Sequence, residues 1–161
     1  MKKFSGLFLK IFFIGLLSLI VSVNEAAQGK PAFPLKVSQN GHYLVCNDGE
    51  PFYFCGDAQW VLLWYYTYDD AVKIIGDRVE KGFTALLISP VSWNNRNNQY
   101  GHKPITDNKT LDVDIKYYED AEKVLDYAAK KGLAIYMLPL CFGHHRNANE
   151  EAYYKYGKWI G

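Results

Sequence analysis

The chain has 161 residues, one ordinary domain's worth, and a formal net charge of +1. So even a balance offers no electrostatic footprint for a nucleic acid or a membrane surface. Aromatics are dense, with thirteen Tyr, nine Phe and four Trp; most belong in a core, and the remainder suits a surface that stacks on something flat, such as a sugar ring.

Residues 1–27 read as a signal peptide rather than as part of the fold. Lys2, Lys3 and Lys10 precede an apolar run from Ile11 to Val23, and the small residues Ala26 and Ala27 follow. That run is too short for a spanning helix, which needs roughly 20 residues. The expectation is export to the periplasm or the cell exterior, with no membrane attachment after cleavage. A linker over 28–34 then leads to the domain at 35–161.

Leu35 to Val37 and Tyr43 to Val45 flank Asn40-Gly41, a strong short hairpin signal. Asp48-Gly49 turns the chain into an opening strand, Phe52 to Cys55, whose aromatic run predicts burial on both faces. Cys46, Cys55 and Cys141 read as buried thiols. A hairpin about Asp48-Gly49 would leave Cys46 and Cys55 offset by about 13 Å along the strand, out of disulfide reach.

Thr67 and Asp70 form a T-x-x-D cap for a helix over Asp69 to Glu80, with Ala71, Ile75 and Val79 on one face and Lys81-Gly82 as the stop. Phe83 to Ser89 reads as a second buried strand. A long polar stretch follows, Pro90 to Val113, and loops of this length inside a domain are usually functional. Asp114 caps a second helix to Lys130, with Ile115, Tyr118, Ala121, Leu125 and Ala128 inward, and Gly132 ends it. Ala134 to Leu140 is a third buried strand. Phe142 to Ala148 is a loop carrying His144, His145 and Arg146, and Asn149 caps a third helix with Ala152, Tyr153, Tyr156, Trp159 and Ile160 inward.

A hairpin followed by three strand–helix repeats implies an α/β fold with a parallel sheet. Three parallel strands leave two long apolar edges, which soluble proteins avoid, and Gly161 falls within the third helix. The reading is therefore an N-terminal β-hairpin followed by the first three βα units of a truncated (β/α)8 TIM barrel. Such a barrel typically runs to about 250 residues. A doubly wound open sheet is the alternative, although no G-x-G-x-x-G or P-loop follows any strand.

In either architecture ligands sit beyond the carboxyl ends of the strands. Asp57, just past the opening strand, is either a turn-capping aspartate or an acceptor for sugar hydroxyls. Trp60 is core or a stacking wall, whereas Trp93, in a polar loop, suits a ligand contact. Tyr100, His102 and Asp107 share the long loop and are candidates for a lid or for scaffolding. His144 and His145 stand above the third strand and would bind substrate or be solvated. C-x-x-H-H from Cys141 matches no standard zinc spacing, so neither metal nor cofactor is expected. No serine nucleophile elbow is present. Glycoside cleavage needs two acids roughly 5 to 9.5 Å apart, and Asp57 alone stands at a strand end, so the catalytic pair is expected beyond Gly161.

Several short motifs, in order, resemble those of the apiosidase-like glycoside hydrolases (glycoside hydrolase family 140). These are Leu-Lys-Val-Ser at Leu35 to Ser38, Asp-Gly-x-Pro-Phe at Asp48 to Phe52 and Gly-Asp-x-x-Trp at Gly56 to Trp60. Lys-Gly-Phe at Lys81 to Phe83, Tyr-Gly-His-x-Pro at Tyr100 to Pro104 and Tyr-Gly-Lys-Trp-Ile-Gly at Tyr156 to Gly161 continue the series. The resemblance implies a (β/α)8 barrel, an oligosaccharide or polysaccharide substrate from pectic cell-wall glycans, release of the branched pentose apiose, and catalytic carboxylates after the fourth strand and on a later one. Asp57, Trp60, Trp93, Tyr100, His102, Asp107 and His144 would then line a substrate pocket. The alternatives are a non-catalytic glycan-binding surface protein on the same barrel, or an inactive truncated product.

Overall fold

A computed structural model describes residues 31, 33–140 and 147–161. The leader at 1–27 and the loop residues Cys141, His144, His145 and Arg146 lie outside the described residues. Strands β1 (Lys36–Val37) and β2 (Leu44–Val45) pair antiparallel with Lys36 opposite Val45, closing the Asn40-Gly41 hairpin. Gly41 has φ +75°, the left-handed conformation that the turn requires. Ser38 N donates to Tyr43 O, and Ser38 Oγ donates to Asn40 Oδ1, so the turn is held by backbone and side chain together.

The central sheet has three parallel strands, β3 (Gly56–Ala58), β4 (Ala85–Ile88) and β7 (Ala134–Met137), in the order β3-β4-β7. Asp57 lies beside Leu86, which lies beside Ile135. Helix α1 (Tyr68–Glu80) connects β3 to β4. Its cap forms as the T-x-x-D spacing requires: Thr67 Oγ1 accepts from Asp70 N. Helix α2 (Ile115–Lys131) begins at Asp114 and ends at Gly132, φ +84°. Helix α3 (Glu150–Ile160) begins at Asn149, whose side chain accepts from Ala152 N.

Both α1 and α2 pack on the same face of the sheet. Leu86 and Ile88 share one core with Ala71 and Ile75 of α1 and with Ala121, Val124 and Ala128 of α2. A second core lies above, where Ala152 and Tyr156 of α3 meet Val91, Ile105 and Leu111. Among the described residues, no helix is long and apolar enough to cross a membrane.

Several expectations are corrected. Phe52 to Cys55 is not a strand, and it is not buried on both faces: Phe52 is buried, but Tyr53 and Phe54 are 70% and 54% exposed. The reason lies in Thr84. Its Oγ1 accepts from Cys55 N and donates to Tyr53 O, a side chain standing where ladder partners would be, so pairing with β4 begins only at Gly56. Asp57 is consequently inside a strand rather than past one.

The second and third strands are shorter than Phe83 to Ser89 and Ala134 to Leu140, because Pro90 and Pro139 turn the chain soon after pairing ends. On α2 the buried face is Tyr117, Ala121, Val124 and Ala128, and Ile115 is exposed. On α3, Tyr153 and Trp159 are exposed, although the Trp159 ring lies edge-on to Tyr118 with centroids 4.5 Å apart.

The stretch Pro90 to Val113 is not all loop: β5 (Ile105–Asp107) and β6 (Asp112–Val113) form a small antiparallel pair within it. Cys46 is buried, Cys55 is half-buried, and both are free thiols.

Candidate functional site

The carboxyl ends of β3, β4 and β7 lie side by side and are cross-tied. Gln59 N donates to Leu87 O, joining the end of β3 to β4. Ser89 Oγ lies 2.9 Å from Val91 O and 3.1 Å from Leu138 O, joining the end of β4 to that of β7. Three tyrosines buttress the same edge from behind. The Tyr117 hydroxyl donates to Pro90 O, the Tyr156 hydroxyl donates to Pro139 O at 2.9 Å, and the Tyr118 and Tyr156 hydroxyls lie 3.1 Å apart. Burial disfavours phenolate, which raises the Tyr118 pKa to about 12 and drives Tyr117 and Tyr156 further up. All three therefore remain neutral across the ordinary pH range.

Trp60 follows β3 and Trp93 lies in the loop after the neighbouring strand β4, and the two are 36% and 60% exposed. Two exposed indoles in the loops that follow neighbouring strands offer flat apolar faces to a ring. Asp57 points the other way. It shares its side of the sheet with Leu86, whose side chain lies among the helices. Its Oδ2 accepts from Arg78 Nε and from Gln59 Nε2, and Arg78 is also held by Asp77 and by the Phe83 ring, 5.7 Å from its centroid. The Gln59 amide and the Arg78 guanidinium hold the Asp57 carboxyl below the usual carboxylate range. A carboxylate so held stays ionised and cannot serve as a proton donor near neutrality.

Tyr100 and His102 form a second group, away from Asp57 and against the two helices. Tyr100 OH accepts from Tyr68 N at the start of α1. Both side chains line a cavity of about 500 Å³ with Leu62, Leu63, Tyr66, Tyr68, Asp120, Lys123 and Val124. His102 Nδ1 lies 3.6 Å from Asp114 Oδ2. Asp107 joins neither group. Its Oδ1 accepts from Lys109 N and Thr110 N, capping the turn between β5 and β6. His144 lies outside the described residues. Among those described, no group of three or more His, Cys, Asp or Glu side chains converges in a metal-holding geometry.

Two asparagines that sequence reasoning passed over organise the loop. Asn95, buried and at φ +50°, donates to Ile105 O and accepts from Ile105 N. Asn98, also buried, accepts from Tyr100 N and His102 N through Oδ1 and donates to Asp120 Oδ2. The run Asn94-Asn95-Arg96-Asn97-Asn98 was their available signal, since asparagine tolerates left-handed backbone and bonds to nearby main chain. Arg78 was also missed, and nothing local to it announces a partner on β3.

A parallel sheet with helices layered on one face defines an α/β domain, and it is similar in fold to solved glycoside hydrolases. The particular family follows from the sequence: residues 38–161 match the family described as "Apiosidase-like, catalytic domain", and the chain belongs to it. A solved structure described as "Glycoside hydrolase" superposes with a TM-score of 0.68 at 27% identity, covering 78% of this chain and 30% of its own. A glycoside hydrolase family 5 structure from Bacteroides vulgatus ATCC 8482 superposes with a TM-score of 0.69 at 23% identity, covering 78% and 29% respectively, and is a likeness of fold alone. The chain thus spans about three-tenths of the length of these two structures. No curated protein matches it.

Proposed function

We propose that this chain is the amino-terminal part of an exported (β/α)8 glycoside hydrolase acting on pectic plant cell-wall glycans, with apiose as the released sugar. The observation that carries the barrel reading is the sheet order. Strands β3, β4 and β7 are neighbours in chain order, and α1 and α2 both cover one face. A barrel is wound this way, as is one half of a doubly wound sheet, and the likeness to solved glycoside hydrolases favours the barrel. The short coverage of the two matched structures supports strands supplied from beyond this sequence.

In that enzyme one carboxyl protonates the glycosidic oxygen while a second attacks the sugar or activates water. Among the described residues, no Asp or Glu directly follows β3, β4 or β7, and Asp57 is committed to Arg78. The two acids are accordingly assigned to later strands. Trp60 and Trp93 stack on the sugar ring from the loops that follow β3 and β4. The charged and apolar leader directs export and is removed.

The test is apiose release from apiose-bearing pectic oligosaccharides, followed by chromatography. The complete secreted protein releases the pentose, and the 161-residue chain alone does not. Binding without cleavage by the complete protein would replace the hydrolase with a glycan-binding protein, and release of a different sugar would correct the substrate.

A further inference from the structure

Trp93 stands in a stretch of chain whose charge has one sign. Between Pro90 and Ile105 the charged side chains are Arg96 and Lys103, and no Asp or Glu occurs there. Arg96 follows the indole by three residues and is exposed. Among the described residues its guanidinium has no hydrogen bond or ion pair, since its one bond is made by the backbone N–H. Arg78, by contrast, is taken up by Asp57 and Asp77, and Lys155 by Asp112.

The turn that carries both residues is held from beneath. Asn95 N donates to Ser92 O at 2.9 Å, and Arg96 N donates to Ser92 Oγ at 2.7 Å. Ser92 and Asn95 are buried, and the Asn95 side chain is tied to both backbone groups of Ile105. Asn95 also takes the left-handed φ of +50° that bends the chain between the indole and the guanidinium. Buried groups thus fix the backbone, while Trp93, Asn94 and Arg96 are left exposed on it.

From this arrangement we infer that Arg96 is a specificity-determining residue of the proposed sugar site, reading the carboxylate of an acidic sugar unit whose ring lies on Trp93. A guanidinium presents a planar fork of N–H donors that matches the two oxygens of a carboxylate. A neutral sugar leaves that fork to water. With no acid in the stretch to compete for it, the charge is available to a ligand and favours an anionic one. Because the turn already fixes the backbone, binding orders only the side chains. The inference rests on reading the strand-end loops as a glycan site, and it adds the charge of the sugar that they accept.

The test titrates the complete protein by isothermal calorimetry with trigalacturonate and with α-1,4-linked galactotriose, its carboxyl-reduced counterpart. At low ionic strength trigalacturonate binds about tenfold more tightly, the scale of one charge-assisted hydrogen bond, and added salt shrinks the preference. Arg96→Gln abolishes the preference, and Arg96→Lys keeps part of it, as a point charge without the fork. Lys103→Gln removes the same charge from the same stretch and keeps the preference. Trp93→Ala weakens both probes alike. The ratio between the probes is a readout that a merely structural role for Arg96 would not move. Equal affinity of the unaltered protein for the two probes, binding of neither, equal weakening of both in Arg96→Gln, or loss of the preference in Lys103→Gln would each overturn the assignment. Apiose release by the complete protein is scored separately, so the hydrolase reading stands or falls by itself.

Discussion

Asp57 shows how a residue's type can be legible while its role is not. A carboxylate near the end of an apolar strand invites a reading as a ligand group, yet its partner is Arg78, 21 residues on in a helix. Nothing in the local spacing of either residue announces that meeting. The pair makes a prediction with a definite sign. The folded-state pKa of Asp57 is depressed below its ordinary 3.8, so the pair's stabilisation is present above about pH 4 and lost as pH falls through the folded value. With each side chain a quarter exposed, solvent screening limits the effect to on the order of 1 kcal/mol. Asp57→Asn should therefore lower the melting temperature at pH 7, and by progressively less as the pH is taken below 4, as thermal scans across that range will read. Asn95 is the stricter case, because its buried amide satisfies both backbone groups of Ile105 from a left-handed conformation. Asn95→Ala should cost about 2–3 kcal/mol in denaturant titration, since it strands buried polar groups. Asn97→Ala, on the exposed side of the loop, should cost almost nothing.

Helix boundaries were legible because a cap is a local contract between residues two or three apart. Thr67, Asp114 and Asn149 each accept from the backbone N–H that their spacing designates, and Gly132 takes the left-handed turn that follows α2. Inward faces were less legible: Ile115 was expected inside, but Tyr117 is completely buried there because its hydroxyl reaches Pro90 O. The β5–β6 pair escaped notice because strands of three and two residues carry no usable alternation. The tyrosines that link α2 and α3 to the strand ends make a prediction at this scale. Their folded-state pKa values lie above the ordinary 10, so their stabilisation is complete below pH 10 and is lost as pH rises past it, where only the unfolded chain ionises. Phenolate absorbance should accordingly rise in one cooperative step with unfolding above pH 10. In Tyr118→Phe that alkaline unfolding should begin at higher pH.

At the scale of the whole domain, the described residues seal one face of the sheet and leave the other open. The sealed face carries Leu86 and Ile88 against two helices. The opposite face presents Gly56, Ala58 and Tyr136, the last 57% exposed, and Tyr53 and Phe54 stand open just before β3. Among the described residues, β3 and β7 each pair on one side only, so both present unpaired backbone groups along an edge. Sequence patterning conveyed the parallel sheet but not this asymmetry: an apolar run reads as buried on both faces whether or not its second cover lies in the same stretch of sequence. Apolar faces and free edges of this kind drive association. Studied alone, residues 28–161 should sediment with a weight-average mass that rises with concentration. Tyr136→Lys should reduce that rise by placing a charge on the open face, without disturbing the helix-side core. On the proposed barrel reading, adding the strands supplied from beyond this sequence should abolish the rise altogether, because edges and face are then covered by chain rather than by a second copy. A monomer at all concentrations with a sharp thermal transition would mean that the open face is tolerated in water, and the barrel reading would lose its physical motive.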